Sequence, residues 1–588
     1  MNSVLNKFRK RNIQTNITEF LLVIFVFALS ICLLGGLFIN YLTLKKSSEK
    51  FLKSSNLQSY TINTNGVSQT DEAFFESKFN YSKRYVFDTD FNESGRNYAA
   101  KVLVSNGKIS IPYIVDGVKG EGCYVDKRFV DKYNIGVNNS RVFINISFGG
   151  EEKRVEFKVV GAMTMAENLT NNEKCVIFID EKVFLDTLKL CFDGLENADL
   201  SVINYNQILV KTDTYETAEA EIKSYFNNSS TTLANIEKID ENVSIIALKK
   251  EIKKAEQMLY TFPVIFVLVS ILVIVSSLSQ LVLKERYNIG LLKALGISNK
   301  ELVLNYAGYG GNIGFFGACF GMLVSPLIIP NITFEIYDKM FYLPRDEVKL
   351  FCPVWFVILV VLISVVVGYL TSMFVALSLT EKYPKDCFGG AGKIKLKPRK
   401  NKTKVPITIS SAARNLKINL SRTIMTIVGF SGSSLLCLIG FGVSELADED
   451  FAGFSLKMFK TYSKIFQIFS IILLILTIVI LIVQIFRERY KDMALMRVHG
   501  EAYEKIWFSV VFEMVILGLI GYVISGVLCQ PIFVLMLKLF DISDLIFINF
   551  IAYLKTFLII FGLILVISSF GLIKIYKINL GKAIKFSE

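Results

Sequence analysis

Few residues in this chain are of types that do covalent chemistry. His499 is the single histidine among 588 residues. A histidine-built metal site, or a Ser-His or Cys-His nucleophile, therefore has no material to work with. Nine cysteines are scattered without C-x-x-C spacing. Cys32, Cys319, Cys437 and Cys529 sit in apolar runs and read as small buried hydrophobes. Cys123, Cys175 and Cys191 fall in a polar stretch, where three thiols allow at most one disulfide and leave one free. Gly389-Gly-Ala-Gly-Lys393 has the composition of a phosphate loop without its spacing, and Ile394 stands where Ser or Thr would meet Mg2+. No such loop occurs elsewhere, so no catalytic residue, cofactor or metal is expected in this chain. Glu513 remains, a carboxylate about seven residues into an apolar run. It reads either as a proton or substrate site or as a hydrogen-bonded packing contact between halves of the chain.

The elements that must position such residues are mostly apolar. Hydrophobic residues make up 52%, Phe alone contributes 48, and mean hydropathy is +0.46. Charged residues are 20%, against about 25% in soluble domains. A bilayer core takes about 20 apolar residues as a helix. Eight stretches qualify: 20–43, 258–283, 302–330, 352–380, 423–443, 464–486, 506–537 and 550–574. The first follows Lys7, Arg9, Lys10 and Arg11 and is longer than a signal-peptide core, so it reads as an uncleaved anchor with its N-terminus inside. Alternation then places 44–257 outside, the loops 284–301, 381–422 and 487–505 inside, and the C-terminus inside.

Net charge is +13, but its placement argues against nucleic acid. Lys53 to Lys250 holds 23 basic and 28 acidic residues, whereas Glu381 to Lys417 holds 11 basic and 2 acidic. Excess positive charge beside apolar runs is what cytoplasmic membrane flanks carry. Lys393–Lys404, with seven basic residues, reads as a solvated linker or a contact for anionic membrane lipid. Within 44–257, Arg141–Ser147 and Arg154–Val160 alternate as strands around a Gly149-Gly150 turn. Gln207–Lys211 reads as a strand, and Ala218, Ile222 and Phe226 mark one helix face. That is an α+β domain, and a helix continuing from about Leu248 into the second span would tie it stiffly to the membrane.

The most informative pattern occurs twice. Lys284-Glu-Arg-Tyr-Asn-Ile-Gly-Leu-Leu-Lys-Ala-Leu-Gly296 follows the second span, and Arg487-Glu-Arg-Tyr-Lys-Asp-Met-Ala-Leu-Met-Arg-Val-His-Gly500 follows the sixth. They match with a one-residue insertion. Pro326 and Pro531 follow at near-equal distances and mark kinks or outer helix ends, while Gly310, Gly311, Gly314, Gly317 and Gly321 suit a tightly packed helix face. Each half opens with a basic amphipathic stretch, Asn6–Arg11 and Ala412–Arg422. The chain reads as four helices plus four. Ile289, Leu292 and Leu295 fall at i, i+3, i+6, an apolar face that a groove on a soluble partner would take; the alternative is a helix resting on lipid headgroups.

The pattern E-R-x-x-(x)-I-G-L-L-K-A-L-G between an apolar run and a Gly-rich helix resembles the FtsX/MacB-like permeases, the mechanotransmission class of ABC transporters. The matching residues are Glu285, Arg286, Ile289, Gly290, Leu292, Lys293, Ala294 and Gly296, with Leu295 on the same face, and Glu488, Arg489, Met493, Ala494, Leu495, Arg497 and Gly500 in the second copy. The resemblance implies that these loops dock a separate ATPase, in two copies, which carries the ATP and Mg2+. Val155–Gly161, the 207–226 strand-helix and Ala412–Leu416 with Arg422-Thr423 resemble the family's extracytoplasmic strand, its other subdomain and its entry to a permease half. The second half departs from the family in having only a short segment, 444–463, where the first has a domain. Glu513 matches a glutamate often seen in the family, whereas its counterpart near Gly308-Tyr309 is not acidic, and Val498-His499 replaces Ala-Leu.

The expected architecture is an α-helical polytopic membrane protein with eight transmembrane helices as a 4+4 repeat and an extracytoplasmic α+β domain between helices 1 and 2. Its parts are 1–43, 44–257, 258–380, 381–422, 423–463 and 464–588. The expected function is a bacterial plasma-membrane ABC permease that extrudes a peptide, lipid-like or antimicrobial substrate. A peptide-sensing or hydrolase-activating regulator working with an accessory or sensor protein is the alternative. An ion-coupled transporter would need intramembrane charge pairs, for which Glu513 alone speaks.

Overall fold

The computed structural model describes residues 2–93, 96–118, 120–137, 140–148, 150–170, 174–192, 198–212, 215–342, 350–380, 416, 420–448, 456–539 and 547–576. The chain begins with α1 (Asn2–Thr15) and α2 (Ile17–Ser54). An α+β stretch follows: β1 (Tyr60–Thr64), α3 (Gln69–Lys78), β2 (Asn80–Glu93), β3 (Arg96–Ser105), β4 (Tyr113–Gly117), β5 (Cys123–Asp126), α4 (Lys127–Tyr133), β6 (Arg141–Phe148), β7 (Glu151–Thr164), β8 (Cys175–Asp180), α5 (Glu181–Cys191), β9 (Gln207–Lys211), α6 (Tyr215–Asn228) and β10 (Leu233–Lys238). Then come α7 (Val243–Lys284), α8 (Arg286–Ala294), α9 (Asn299–Phe341), α10 (Val354–Thr380), α11 (Leu420–Asp448), α12 (Leu456–Glu488), α13 (Tyr490–Val498), α14 (Tyr503–Leu539) and α15 (Phe550–Tyr576). Among the described residues eight helices are long and apolar enough to cross a membrane: α2, α7, α9, α10, α11, α12, α14 and α15.

The helical unit comprises the chain up to Tyr41, Lys254–Thr333 and the chain from Leu350. Its two repeats are built alike. Gly314 and Gly518 each lie 18 residues past the loop glycine of their repeat, and Gly317 and Gly521 each lie 21 past it. A Cβ on Gly314 would stand 2.3 Å from the Ser364 carbonyl of α10, and one on Gly518 would stand 2.9 Å from Ile564 of α15. Gly317 and Gly521 instead meet Phe27 of α2 and Phe430 of α11. The glycines that the sequence puts on one face thus serve two: Gly310 and Gly314 admit the fourth helix of the repeat, Gly317 and Gly321 the first. Close backbone approach requires a residue without a side chain. Pro326 and Pro531 lie inside α9 and α14 rather than at their ends.

The seam between repeats is lined by hydroxyls and amides. Within the first repeat Ser30 Oγ of α2 donates to the Phe266 carbonyl of α7 (3.2 Å), and across the seam Asn40 Nδ2 of α2 donates to the Tyr462 hydroxyl of α12. Gln280 of α7 and Gln484 of α12 hold the same repeat position. The first donates to Thr426 Oγ1 of α11 (3.4 Å) and the second to Ser277 Oγ of α7 (3.2 Å). Phe466 of α12 packs against Phe262 and Phe266 of α7.

The second unit, Leu42–Lys253 with the segment from Phe334, is built on a ten-stranded mixed sheet in the order β10-β1-β9-β2-β3-β8-β5-β7-β4, with β6 on β2 and β7. The expected hairpin is β6–β7, with Ser147 opposite Glu152 and Gly150 at φ +88°. Gly149 lies outside the described residues. Ala218, Ile222 and Phe226 of α6 bury against Tyr60, Ile62 and Ile208. A larger core joins Val102, Val142, Val159 and Ile177 under α4 and α5. Cys123 and Cys175 are buried thiols in that core, and Cys191 is free and half-buried. Burial pushes the Cys123 thiol up to about 12, which makes it inert.

A buried ion pair locks the sheet to the turn after β7. Arg84 of β2 and Glu167 are both buried, and Arg84 Nη2 donates to Glu167 Oε2 (3.2 Å) while its Nη1 contacts Oε1. Gln58 Nε2 and Ser110 Oγ donate to the same carboxylate, each at 2.9 Å. Burial alone would raise the Glu167 pKa. The charge of Arg84 and these hydrogen bonds outweigh it and hold the carboxyl below the usual range.

Candidate functional site

Each repeat carries one long helix that kinks into a nine-residue helix, α7 into α8 and α12 into α13. The kink residues are Glu285 and Arg489. Each lies eleven residues before a glycine in left-handed backbone, Gly296 (φ +88°) and Gly500 (φ +84°). A Cβ at either glycine would meet nothing within 4 Å, so the positive φ alone accounts for the residue type. The helix ends close identically. Gly296 N–H donates to the Lys293 carbonyl (3.0 Å) and Ile297 N–H to that of Leu292 (3.1 Å). Gly500 N–H donates to the Arg497 carbonyl (3.0 Å) and Glu501 N–H to that of Met496 (3.1 Å). These bonds satisfy carbonyls that a helix end would otherwise leave open.

Counted back from the glycines, the copies align with no gap inside the short helix. The one-residue shift read from the sequence lies before the kink. Glu285 therefore corresponds to Arg489, not to Glu488, which closes α12. Arg286 opens α8; the side chains of Arg286 and Glu488 lie outside the described residues.

The faces differ from the expectation of one apolar face at Ile289, Leu292 and Leu295. Ile289 is 2% exposed and Gly290 is buried, Leu292 and Lys293 are half-buried, and Leu295 is 71% exposed. The outward apolar stripe is Tyr287, Leu291 (46% exposed) and Leu295, at i, i+4, i+8. In the second copy Met493 (3% exposed) and Ala494 turn inward, and Leu495 (43% exposed) and Val498 turn outward. Leu291 and Leu495 are equivalent. Leu291 was legible in the sequence through its spacing from Tyr287 and Leu295, and through the gap-free alignment. Arg497 stacks on Tyr503, its guanidinium carbon 3.3 Å from the ring centre, and so braces the exit from α13.

Glu513 is fully buried and pairs with Arg489 at 2.6 Å. The contact is within the second repeat, between the kink and α14, rather than between halves. At the position equivalent to Glu513 the first repeat has Tyr309, whose hydroxyl donates to the Arg9 carbonyl of α1 (3.4 Å). Glu285 is buried and accepts from Asn288 Nδ2. The two kinks are alike in backbone and opposite in charge.

Residues 260–384 and 464–580 each match the model of the FtsX-like permease C-terminal domain. Both segments are therefore FtsX-like permease domains. The two matched segments cover the last three spans of each structural repeat, α7, α9 and α10 in the first and α12, α14 and α15 in the second, so the family's C-terminal domain is present twice. FtsX-like permeases are in general non-catalytic membrane subunits of ABC transporters that work with an ATPase partner. Eight apolar helices accord with a multi-pass membrane protein of this kind. No curated protein matches the chain. Gly389–Lys393 and Lys393–Lys404 lie outside the described residues.

Proposed function

We propose that this FtsX-like permease docks two copies of a separate ABC ATPase, one on Tyr287, Leu291 and Leu295 of the α8 segment and one on Leu495 and Val498 of α13. Mg-ATP is held and hydrolysed on that partner. The observation that carries the reading is the duplication of one kinked helix with the same inward pair, the same outward leucine and the same glycine stop. An outward apolar stripe on a short helix suits a groove on a soluble protein. Helix ends anchored by buried groups give such a stripe something to push against.

Closure of the ATPase pair then moves α7 and α12, and with them α2 and α11 across the hydrogen-bonded seam. α2 and α7 are continuous from spans into chain that belongs to the sheet domain, so the motion is delivered there without a pore. We place the N- and C-termini on the cytoplasmic side of a bacterial plasma membrane and the sheet domain outside. The work done is extrusion of a peptide, lipid-like or antimicrobial substrate from the outer face.

The test is co-purification from native cells in mild detergent. The wild-type chain is expected to bring down a protein with a Walker A sequence. A variant altered at both stripes, Leu291→Asp with Leu295→Asp and Leu495→Asp with Val498→Asp, is expected to lose it while the chain still inserts and keeps its melting temperature. Retention of the ATPase by that variant contradicts the docking assignment.

A further inference from the structure

The sheet domain holds a cleft of about 550 Å³ with no part in the docking scheme. Its walls include Ile111, Tyr113, Ile114, Tyr124 and Phe178, and Asp180 stands among them. That volume is within the range of small-molecule sites, about 300–1,000 Å³, and so is the pattern of apolar walls with few polar groups. Three aromatic residues and one carboxylate line the same cleft. Aromatic faces and a carboxylate both favour an organic cation, and together they select an ammonium carried on an apolar body.

The carboxylate is held in place. Asp180 caps α5, its Oδ1 accepting from the Lys182 N–H at 3.0 Å. Tyr124 is also fixed, since its hydroxyl accepts from the Gly120 N–H at 3.2 Å. Part of the wall is Ser54, the last residue of α2, and Ser55 just beyond it. The loop carrying Ile111 is bonded onto that end. Ile111 N–H donates to the Ser55 carbonyl (2.8 Å), Ser110 N–H to the Asn56 carbonyl (3.1 Å), and Asn56 Nδ2 to the Lys108 carbonyl (2.6 Å). Phe51 of α2 packs edge-on against Tyr113. A molecule in the cleft therefore touches the end of α2 itself.

We propose that this cleft is a binding site for an amphiphile with an organic ammonium group, seated with its apolar body against Tyr113, Tyr124 and Phe178 and its charge at Asp180. Such a ligand would bias the position of α2, because affinity that differs between two positions of a wall shifts the equilibrium between them.

The test uses the full chain in nanodiscs of zwitterionic lipid and two fluorescent probes with one apolar body. Dansylcadaverine carries an ammonium, and dansyl-aminohexanoate carries a carboxylate. Empty nanodiscs supply the baseline. The cationic probe is expected to bind saturably, at least about tenfold more tightly than its anionic twin. Asp180→Asn keeps a good helix cap and is expected to bring the two probes to within a factor of about three. Absence of saturable cation binding, or an unchanged ratio in Asp180→Asn, overturns the assignment. The assay contains no ATPase, so its failure and the failure of the docking proposal are separate results.

Discussion

Arg489 and Glu513 form a 2.6 Å pair with almost no exposure to solvent. Desolvating two charges is costly, and the pair persists because each ion satisfies the other. Removing one partner leaves the other buried and uncompensated, at about 3 kcal/mol. Arg489→Met or Glu513→Leu alone is therefore expected to lower the melting temperature of the purified permease strongly, and the double variant to recover most of the loss. A loss in the double variant equal to the sum of the two single losses would mean that the two side chains act independently. Arg84 and Glu167 pose the same question in the sheet domain, where pH provides the probe. The Glu167 pKa is depressed, so the folded state releases that proton more readily than the unfolded chain. Its stabilisation is complete above the ordinary glutamate value of about 4.3 and is lost as pH falls through the lowered folded value. Glu167→Gln is expected to cost about 3 kcal/mol at neutral pH and to flatten the acid limb of the stability curve. An acid limb identical to wild type would contradict the pairing.

At the scale of elements, the glycines divide by what surrounds them. Gly296 and Gly500 have open space and a left-handed backbone, so an alanine costs only backbone strain, about 1 kcal/mol. Gly314 has ordinary helical backbone, but a Cβ would collide with the Ser364 carbonyl at 2.3 Å. Gly314→Ala is expected to lower the melting temperature well beyond Gly296→Ala. The reverse order would mean that the α9–α10 contact is looser than described. Much at this scale was legible beforehand. Eight spans, the β6–β7 hairpin and the inward face of α6 follow from run length and periodicity. The sorting of the glycines onto two helices was not legible, because spacing along one helix does not say which neighbour lies at which height. The inward turn of Ile289 escaped for a related reason: an apolar position on a short amphipathic helix serves either face, and only the packing of α8 decides.

For the whole molecule, the two family domains lie in one helical unit, and the sheet domain falls between α2 and α7 along the chain, ahead of the first family domain. The duplication was readable from Lys284–Gly296 and Arg487–Gly500. The charge reversal at the kinks was hidden, because aligning Glu-Arg with Glu-Arg placed the extra residue inside the loop. The backbone instead counts from the glycines. That register makes Leu291 and Leu495 the same position, and the central claim is that both face one ATPase type. The most direct measurement is photo-cross-linking in native cells. A benzophenone side chain at Leu291, Leu495, Ile289 or Met493 would be irradiated and the adducts identified by mass spectrometry. Adducts of one Walker A-bearing ATPase at Leu291 and Leu495, and none at the inward Ile289 and Met493, are the result expected. Lipid adducts alone at Leu291 and Leu495 would contradict the claim and assign both helices to the membrane surface.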